Sequence, residues 1–262
     1  MDFSTYKFRC SRLSDIMTNI ESDKLTKGHV TTCKKIFREE SWKRKSVIKS
    51  KYLEKGIAQE EDAITLLSLV KGKFFKKNDA RIENKFITGE PDIYVGESIY
   101  KVWDGYDTKC SWSHDTFPFP DDKLDAKYEF QDHGYIALTG AEKWTTAYCL
   151  VNATASLVLQ EQKGLWYKLG CPDENNSTFI EGCIEIEKNM IYDMPKFQKD
   201  NPGFDSYALK YITWEFDIPK EERVIEFTVE RNQKVIDRIY ERVKLCREFL
   251  NEFANKGKLV EA

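Results

Sequence analysis

The sequence predicts an α/β chain, on three observations. Leu53 to Val70 and Leu124 to Leu138 repeat apolar residues at helical spacing. Between them Ile93, Val95, Ile99 and Val102 alternate as in a strand hairpin, and Trp144 to Val151 then reads as a further strand. Taken in order, Ser11 to Ile20 predicts a short helix and Val30 to Lys49 a basic one. In the hairpin, Pro91 disfavours helix ahead of the first strand. Gly96-Glu97-Ser98 is expected to turn the chain, and Asp104-Gly105 reads as a turn or bulge. Ala155 to Tyr207 is weakly patterned, with turn signals at Gly170-Cys171-Pro172-Asp173, Asn175-Asn176-Ser177 and Asn201-Pro202-Gly203. It reads as an insertion, at about 155–207, holding a helix near Leu157 to Leu169. Tyr211 to Phe216 and Val224 to Val229 suggest a late strand pair. A closing helix at about 231–254 carries Val235, Ile239, Val243, Cys246 and Leu250. The whole of 1–262 is expected to form one domain with that insertion.

The chemistry concentrates between Gly89 and Lys109. Gly89-Glu90-Pro91-Asp92 sets an acid after a tight turn, and Asp107-Thr108-Lys109 follows on the second strand. Strand side chains alternate between faces, so Asp107 and Lys109 share one face and Thr108 points away. A carboxylate for a metal then stands beside an ammonium, the ligand arrangement of a metal-dependent nuclease. The plain alternative is surface charge, since 32% of the chain is charged.

Two flanking helices carry polar breaks. Leu53, Ile57, Ile64 and Leu67 form a stripe whose missing member is Glu60. A glutamate within an apolar stripe is costly unless paired or bound to a cation; one at the stripe's edge reaches water instead. Leu124, Tyr128, Tyr135 and Leu138 form a second stripe completed by Gln131. A buried glutamine needs partners for both its oxygen and its amide, which a catalytic site or core backbone could supply.

Glu60, Gly89-Glu90-Pro91-Asp92, Asp107-Thr108-Lys109 and Tyr128-x-x-Gln131 occur in the order of the PD-(D/E)XK nucleases, and the chain resembles that superfamily. Within it the sequence looks like the phage recombination exonucleases of the lambda-exonuclease (YqaJ-like) group. The match includes Gly56-x-x-x-Glu60-x-x-Ala63 and Tyr128-x-x-Gln131-x-x-x-Tyr135-Ile136-Ala137-Leu138-Thr139-Gly140. It extends to Arg9-Cys10-Ser11, where that group carries a serine that touches DNA phosphate. Asp107 departs from the glutamate of many relatives, within what the superfamily pattern allows.

The resemblance implies a restriction-endonuclease-like core, a central mixed β-sheet flanked by helices with acids at one edge. It implies magnesium, digestion of one strand of duplex DNA from an end, in the 5′ to 3′ sense, a ring of subunits, and a single-strand annealing protein as partner. Hard oxygen ligands select Mg²⁺ or Mn²⁺, with two ions expected. Asp92 and Asp107 would hold the first, with the Thr108 carbonyl as a further ligand, and Glu60 would complete a second site or bind through water. Lys109 would orient or help deprotonate the water, and Gln131 would hold that water or a phosphate oxygen.

Net charge is −3, yet residues 34–55 hold nine basic side chains, Lys49 among them, against Glu39, Glu40 and Glu54. Such a run is either a solvated face or a phosphate-binding patch. The expected DNA contacts are Arg9, Ser11, Arg12, Lys43, Arg44, Lys45, Lys51 and Tyr135. Seven cysteines without a C-x-x-C argue for free thiols in a reducing compartment, and Cys171, Cys183 and Cys246 are too scattered to suggest an iron–sulfur cluster. His29 and Cys33 lack further zinc ligands, and His133 is expected at the surface, off the Gln131 stripe. No signal core and no membrane-length apolar run is visible, so a cytoplasmic location is expected. There is no phosphate-loop motif, hence no ATP motor. Processive digestion would then rest on a homo-oligomeric ring, a trimer being favoured. The rival readings are a site- or structure-specific endonuclease of the same superfamily and an inactive DNA-binding scaffold.

Overall fold

Apolar periodicity becomes two mixed sheets set among helices. The computed structural model describes residues 1–45, 50–173 and 175–258. β1 (Phe8–Arg9), β2 (Ile82–Glu83) and β3 (Ile87–Gly89) form a small sheet in the order β1-β3-β2. The larger sheet runs β4 (Ile93–Ser98), β5 (Lys101–Cys110), β6 (Lys143–Cys149) and β7 (Val224–Glu230). Its outer pairs are antiparallel and β5 with β6 is parallel. The described helices are α1 (Ser14–Met17), α2 (Lys27–Trp42), α3 (Lys51–Lys71), α4 (Ala126–Thr139), α5 (Ala155–Lys168), α6 (Ser177–Met190), α7 (Met194–Asp200), α8 (Tyr207–Tyr211) and α9 (Gln233–Lys258). Parallel neighbours need a crossover, and α4 provides it between β5 and β6.

Strand alternation sends the two faces of the large sheet to different helices. Trp144 of β6 joins Tyr135, Ile136 and Leu138 of α4 in one core, with Ile239, Val243, Cys246 and Leu250 of α9. Tyr106, Ala147 and Cys149 join Ala63, Ile64, Leu66 and Leu67 of α3 in another. A third cluster places Leu157 and Val158 of α5 with Met190 of α6 and Met194 and Phe197 of α7. The region expected as an insertion is therefore mostly helical. Among the described residues no helix is long and apolar enough to cross a membrane.

Several elements differ from the sequence expectation. The basic helix does not run to Lys49: α2 stops at Trp42, and Lys43 takes a left-handed conformation (φ 49°). Its buried residues end at Ile36 and Trp42 is exposed, so its last turn buries no apolar side chain. Residues 46–49, Lys49 included, lie outside the described residues. The hairpin turns at Ile99-Tyr100, since Ser98 pairs with Lys101, while Gly96 lies within β4 opposite Val102. Asp104-Gly105 is no turn; β5 runs through it. The irregularity falls one residue earlier, where Val95 pairs with Asp104 and Gly96 with Val102, passing over Trp103. Gly105 answers to packing, because a Cβ there would lie 2.2 Å from the Trp144 ring.

Tyr211 to Phe216 is not a strand. β7 finds its partner in β6, and the segment after α8 is held by side chains. Trp214 packs against the third cluster and donates from Nε1 to Asp217 Oδ1 at 2.8 Å, the oxygen that also accepts the Met194 amide at 2.8 Å. His133 is buried, not at the surface. α4 lies between the sheet, the N-terminal segment and α9, so it is covered more widely than one stripe implies, and residues 131–136 are all buried.

Candidate active site

The site forms where β4 stops covering β5. Ile93 pairs with Tyr106, and from Asp107 onward β5 pairs only with β6. The Thr108 amide on that uncovered edge donates to Asp92 Oδ2 at 2.7 Å, and the Thr108 hydroxyl donates to the same oxygen at 2.9 Å. Thr108 thus faces away from Asp107, as alternation requires, and anchors Asp92 through its amide and hydroxyl.

On the opposite face the Lys109 ammonium pairs with Asp107 Oδ2. Gln131 Nε2 donates to both Asp107 carboxylate oxygens at 3.3 Å and to the Tyr135 hydroxyl at 2.9 Å. That hydroxyl donates to the Glu90 carbonyl at 3.4 Å, tying α4 to the turn before Asp92. The approach is close: a Cβ on Gly89 would lie 2.8 Å from Tyr135 Cε1 and 2.9 Å from Cys10 Sγ.

Burial, and then the neighbouring Asp107 charge, push the Asp92 carboxyl up to about 7. Burial works against the Lys109 ammonium, but the charges of Asp107 and Asp92 outweigh it and hold the lysine above its ordinary range. Behind this pair Asp132 is fully buried, and burial followed by the Asp107 charge raises its carboxyl well above normal. Its Oδ2 accepts from Thr146, the residue that pairs with Asp107 across the sheet.

A cleft of about 940 Å³ opens over these groups. Glu60 lines it, half-buried, with Lys77 3.2 Å away. Only the second half of the stripe expected for its helix is buried: Ile64 and Leu67 enter the core. Leu53 and Ile57 are 49% and 69% exposed, whereas Lys55, Gln59, Ala63 and Leu66 turn inward. Glu60 therefore reaches the cleft on the same open face as Leu53 and Ile57.

Arg9 and Ser11 also line the cleft, and buried Tyr135 forms part of its floor. Arg12 turns to Asp15 and Glu39 at 3.3 and 3.2 Å. Lys43 and Lys45 border a separate groove with Met1 and Glu40, and Arg44 is exposed. Lys51 pairs with Glu161 at 2.8 Å and lies 4.8 Å over the Trp112 ring. The cations on the cleft wall are Arg9, Lys77, Arg81, Lys109 and Lys127. Arg81 and Lys127 escape sequence reasoning because they come from separate elements, with no local run to mark them.

His29 is a structural residue. Its Nδ1 accepts from the Thr26 amide at 3.1 Å and faces an Arg242 guanidinium nitrogen at 3.0 Å, while Nε2 meets the Thr18 hydroxyl at 2.7 Å.

The donor set fits a hard divalent cation in kind: carboxylates of Asp92, Asp107 and Glu60 around one cleft, Asp107 buried and the other two half-buried. Among the described residues no three His, Cys, Asp or Glu side chains are gathered tightly enough to hold an ion as they stand. Each carboxylate instead meets a partner of its own: Thr108, Lys109 or Lys77.

No family model matches the chain, and no curated protein matches it. Solved structures do. A phage-related exonuclease from Haemophilus somnus 129PT is 25% identical over 96% of each chain, with a TM-score of 0.68. An alkaline exonuclease, LHK-Exo, from Laribacter hongkongensis is 12% identical over 99% of this chain and 96% of that one, with a TM-score of 0.56. The same enzyme in complex with dAMP matches at 13% identity and a TM-score of 0.57, with the same coverage. At that lower identity the likeness is one of fold. The architecture is restriction-endonuclease-like, that of the PD-(D/E)XK nucleases. Within that class it fits the lambda-exonuclease (YqaJ-like) group.

Proposed function

We propose that this protein is a Mg²⁺- or Mn²⁺-dependent deoxyribonuclease that digests one strand of linear duplex DNA from an end, in the 5′ to 3′ direction. The observation that carries the reading is the convergence of Asp92, Asp107, Lys109 and Gln131 at the uncovered end of β5, beneath a cleft walled by cations. The phage-related exonuclease that matches over nearly the whole chain adds support.

Asp92 and Asp107 would hold the first ion, with the Thr108 carbonyl as a further ligand and Glu60 at a second ion or bound through water. A divalent ion supplies Lewis-acid stabilisation of the phosphate and a lowered pKa for an attacking water. The protein's own residues do the positioning. Thr108 fixes Asp92, and Gln131 orients Asp107. Lys109 would orient or help deprotonate the attacking water and offset charge at the phosphate. Arg9, Ser11, Lys77, Arg81 and Lys127 would guide the backbone, giving binding that weakens with salt and shows little base preference. One nuclease domain spanning 1–262, with an insertion at about 155–207, a trimeric ring, a single-strand annealing partner and a cytoplasmic setting complete the proposal.

The test is incubation of end-labelled linear duplex and covalently closed circles with Mg²⁺. Linear DNA should be shortened from its 5′ ends and circles spared. Asp107→Ala and Lys109→Ala should stay folded and bind DNA without cutting it. Full activity in EDTA, or in either variant, overturns the assignment, and cutting of circles converts it to an endonuclease.

A further inference from the structure

Tyr128 is the feature of the cleft that this reading leaves without a role. Its ring centroid lies 4.7 Å from the Lys109 ammonium and 5.1 Å from that of Lys127. Tyr148 meets it edge-on at 5.9 Å, and Phe227 meets Tyr148 at 5.7 Å. Tyr148 is also the residue that pairs with Lys109 between β5 and β6. A line of three rings, anchored on β6 and β7, thus fixes one ring against the lysine.

Lys109 is caught between two partners. Its ammonium pairs with Asp107, a carboxylate the proposed function assigns to a divalent cation. A cation on Asp107 repels the ammonium, and the four-carbon stem is flexible enough to carry it out of the cleft. The Tyr128 ring attracts an ammonium through its quadrupole but is neutral, so it does not compete for a metal. An ammonium paired with a carboxylate shows the ring little net charge; once released, it shows its full charge. The ring therefore stabilises the released state more than the paired one.

We infer that Tyr128 is a positioning residue: it retains the Lys109 ammonium at the site when Asp107 is given over to a divalent cation, and thereby favours binding of that cation. The inference rests on the metal-dependent reading above.

The experiment is Mn²⁺ binding measured by calorimetry, without DNA and without turnover. Tyr128→Leu should bind Mn²⁺ about five-fold more weakly than the unsubstituted protein, matching loss of one partly desolvated cation–π contact. Tyr128→Phe keeps the ring and should keep the affinity. In a Lys109→Met background Tyr128→Leu should have no effect on Mn²⁺ binding, because the ammonium it acts through is gone. Thermal melts establish which variants fold, with Tyr128→Met replacing the leucine variant if that one does not. Equal affinity for the unsubstituted and Tyr128→Leu proteins overturns the inference. So does an equal loss in the Lys109→Met background, which marks a packing effect through Tyr148. A Tyr128→Phe variant as weak as Tyr128→Leu overturns it too, assigning the effect to the hydroxyl. Absence of Mn²⁺ binding by the unsubstituted protein sinks the metal reading and this inference with it. Binding that ignores Tyr128 sinks the inference alone.

Discussion

Replacing His133 by glutamine should remove a pH-dependent loss of stability of about 2 kcal/mol at pH 5. His133 is 2% exposed, and its Nδ1 has no hydrogen-bond partner. Burial therefore pushes its imidazole down to about 4. In the unfolded chain the imidazole titrates near 6.5. The folded protein holds a neutral ring, so the contribution to stability is intact above pH 6.5 and is lost as the pH falls from there towards 4. Linkage puts the loss at roughly 2 kcal/mol at pH 5 and roughly 3 at pH 4. Asp92, raised to about 7 by burial and Asp107, works in the opposite sense and gains relative stability on acidification. The measurement is therefore a difference. Urea unfolding of both proteins at pH 8 and pH 5 gives two values of ΔΔG, and Asp92 cancels between the pair. The unsubstituted protein should lose about 2 kcal/mol more than His133→Gln over that interval. A difference that does not change with pH would refute the argument, showing that His133 protonates equally well when folded.

Gly105→Ala should destabilise by about 1–3 kcal/mol, the range for overpacking, since its Cβ meets the Trp144 ring at 2.2 Å; an unchanged melting temperature refutes it. Lys55 is fully buried, donates to the Trp112 carbonyl at 2.8 Å, and is pushed down to about 8 by burial. A lowered lysine favours folding at high pH, so stability should rise by about 3 kcal/mol between pH 8 and pH 10.5 and do so much less in Lys55→Met, as read by denaturant titration. Gln131→Ala and Glu60→Gln should each slow DNA hydrolysis at least tenfold, about 1.4 kcal/mol of barrier. Variants that melt early yet keep their specific rate would mark the two residues as ordinary structural polars.

What could be read from the sequence follows physical locality. Asp107 and Lys109 share a face because strand alternation is a property of the backbone, and the predicted helices α3, α4 and α9 follow from apolar spacing. Glu60 reaches the cleft for a different reason from the one its stripe suggests. Periodicity alone cannot tell a core-facing leucine from a cleft-facing one, and Leu53 and Ile57 are the latter. The burial of His133 was unreadable because α4 as a whole packs against the N-terminal segment and α9 as well as the sheet, and these are distant in sequence. Arg81 and Lys127 join the cleft by topology, whereas Lys43 and Lys45, conspicuous in the basic run, border another groove.

The bond from the Thr108 amide to Asp92 has a consequence for how an inactive form should be made. That amide lies on a strand edge left open by the end of β4 pairing, and such edges recruit strands from other molecules. Asp92 occupies the donor and sets a carboxylate where an incoming backbone would dock. The group assigned to hydrolysis thus also satisfies a strand-edge amide. Alanine at Asp92 would abolish the chemistry and uncover the edge together, so aggregation of that variant would say nothing about catalysis. Substitution at Asp107, whose carboxylate takes no backbone amide, separates the two effects.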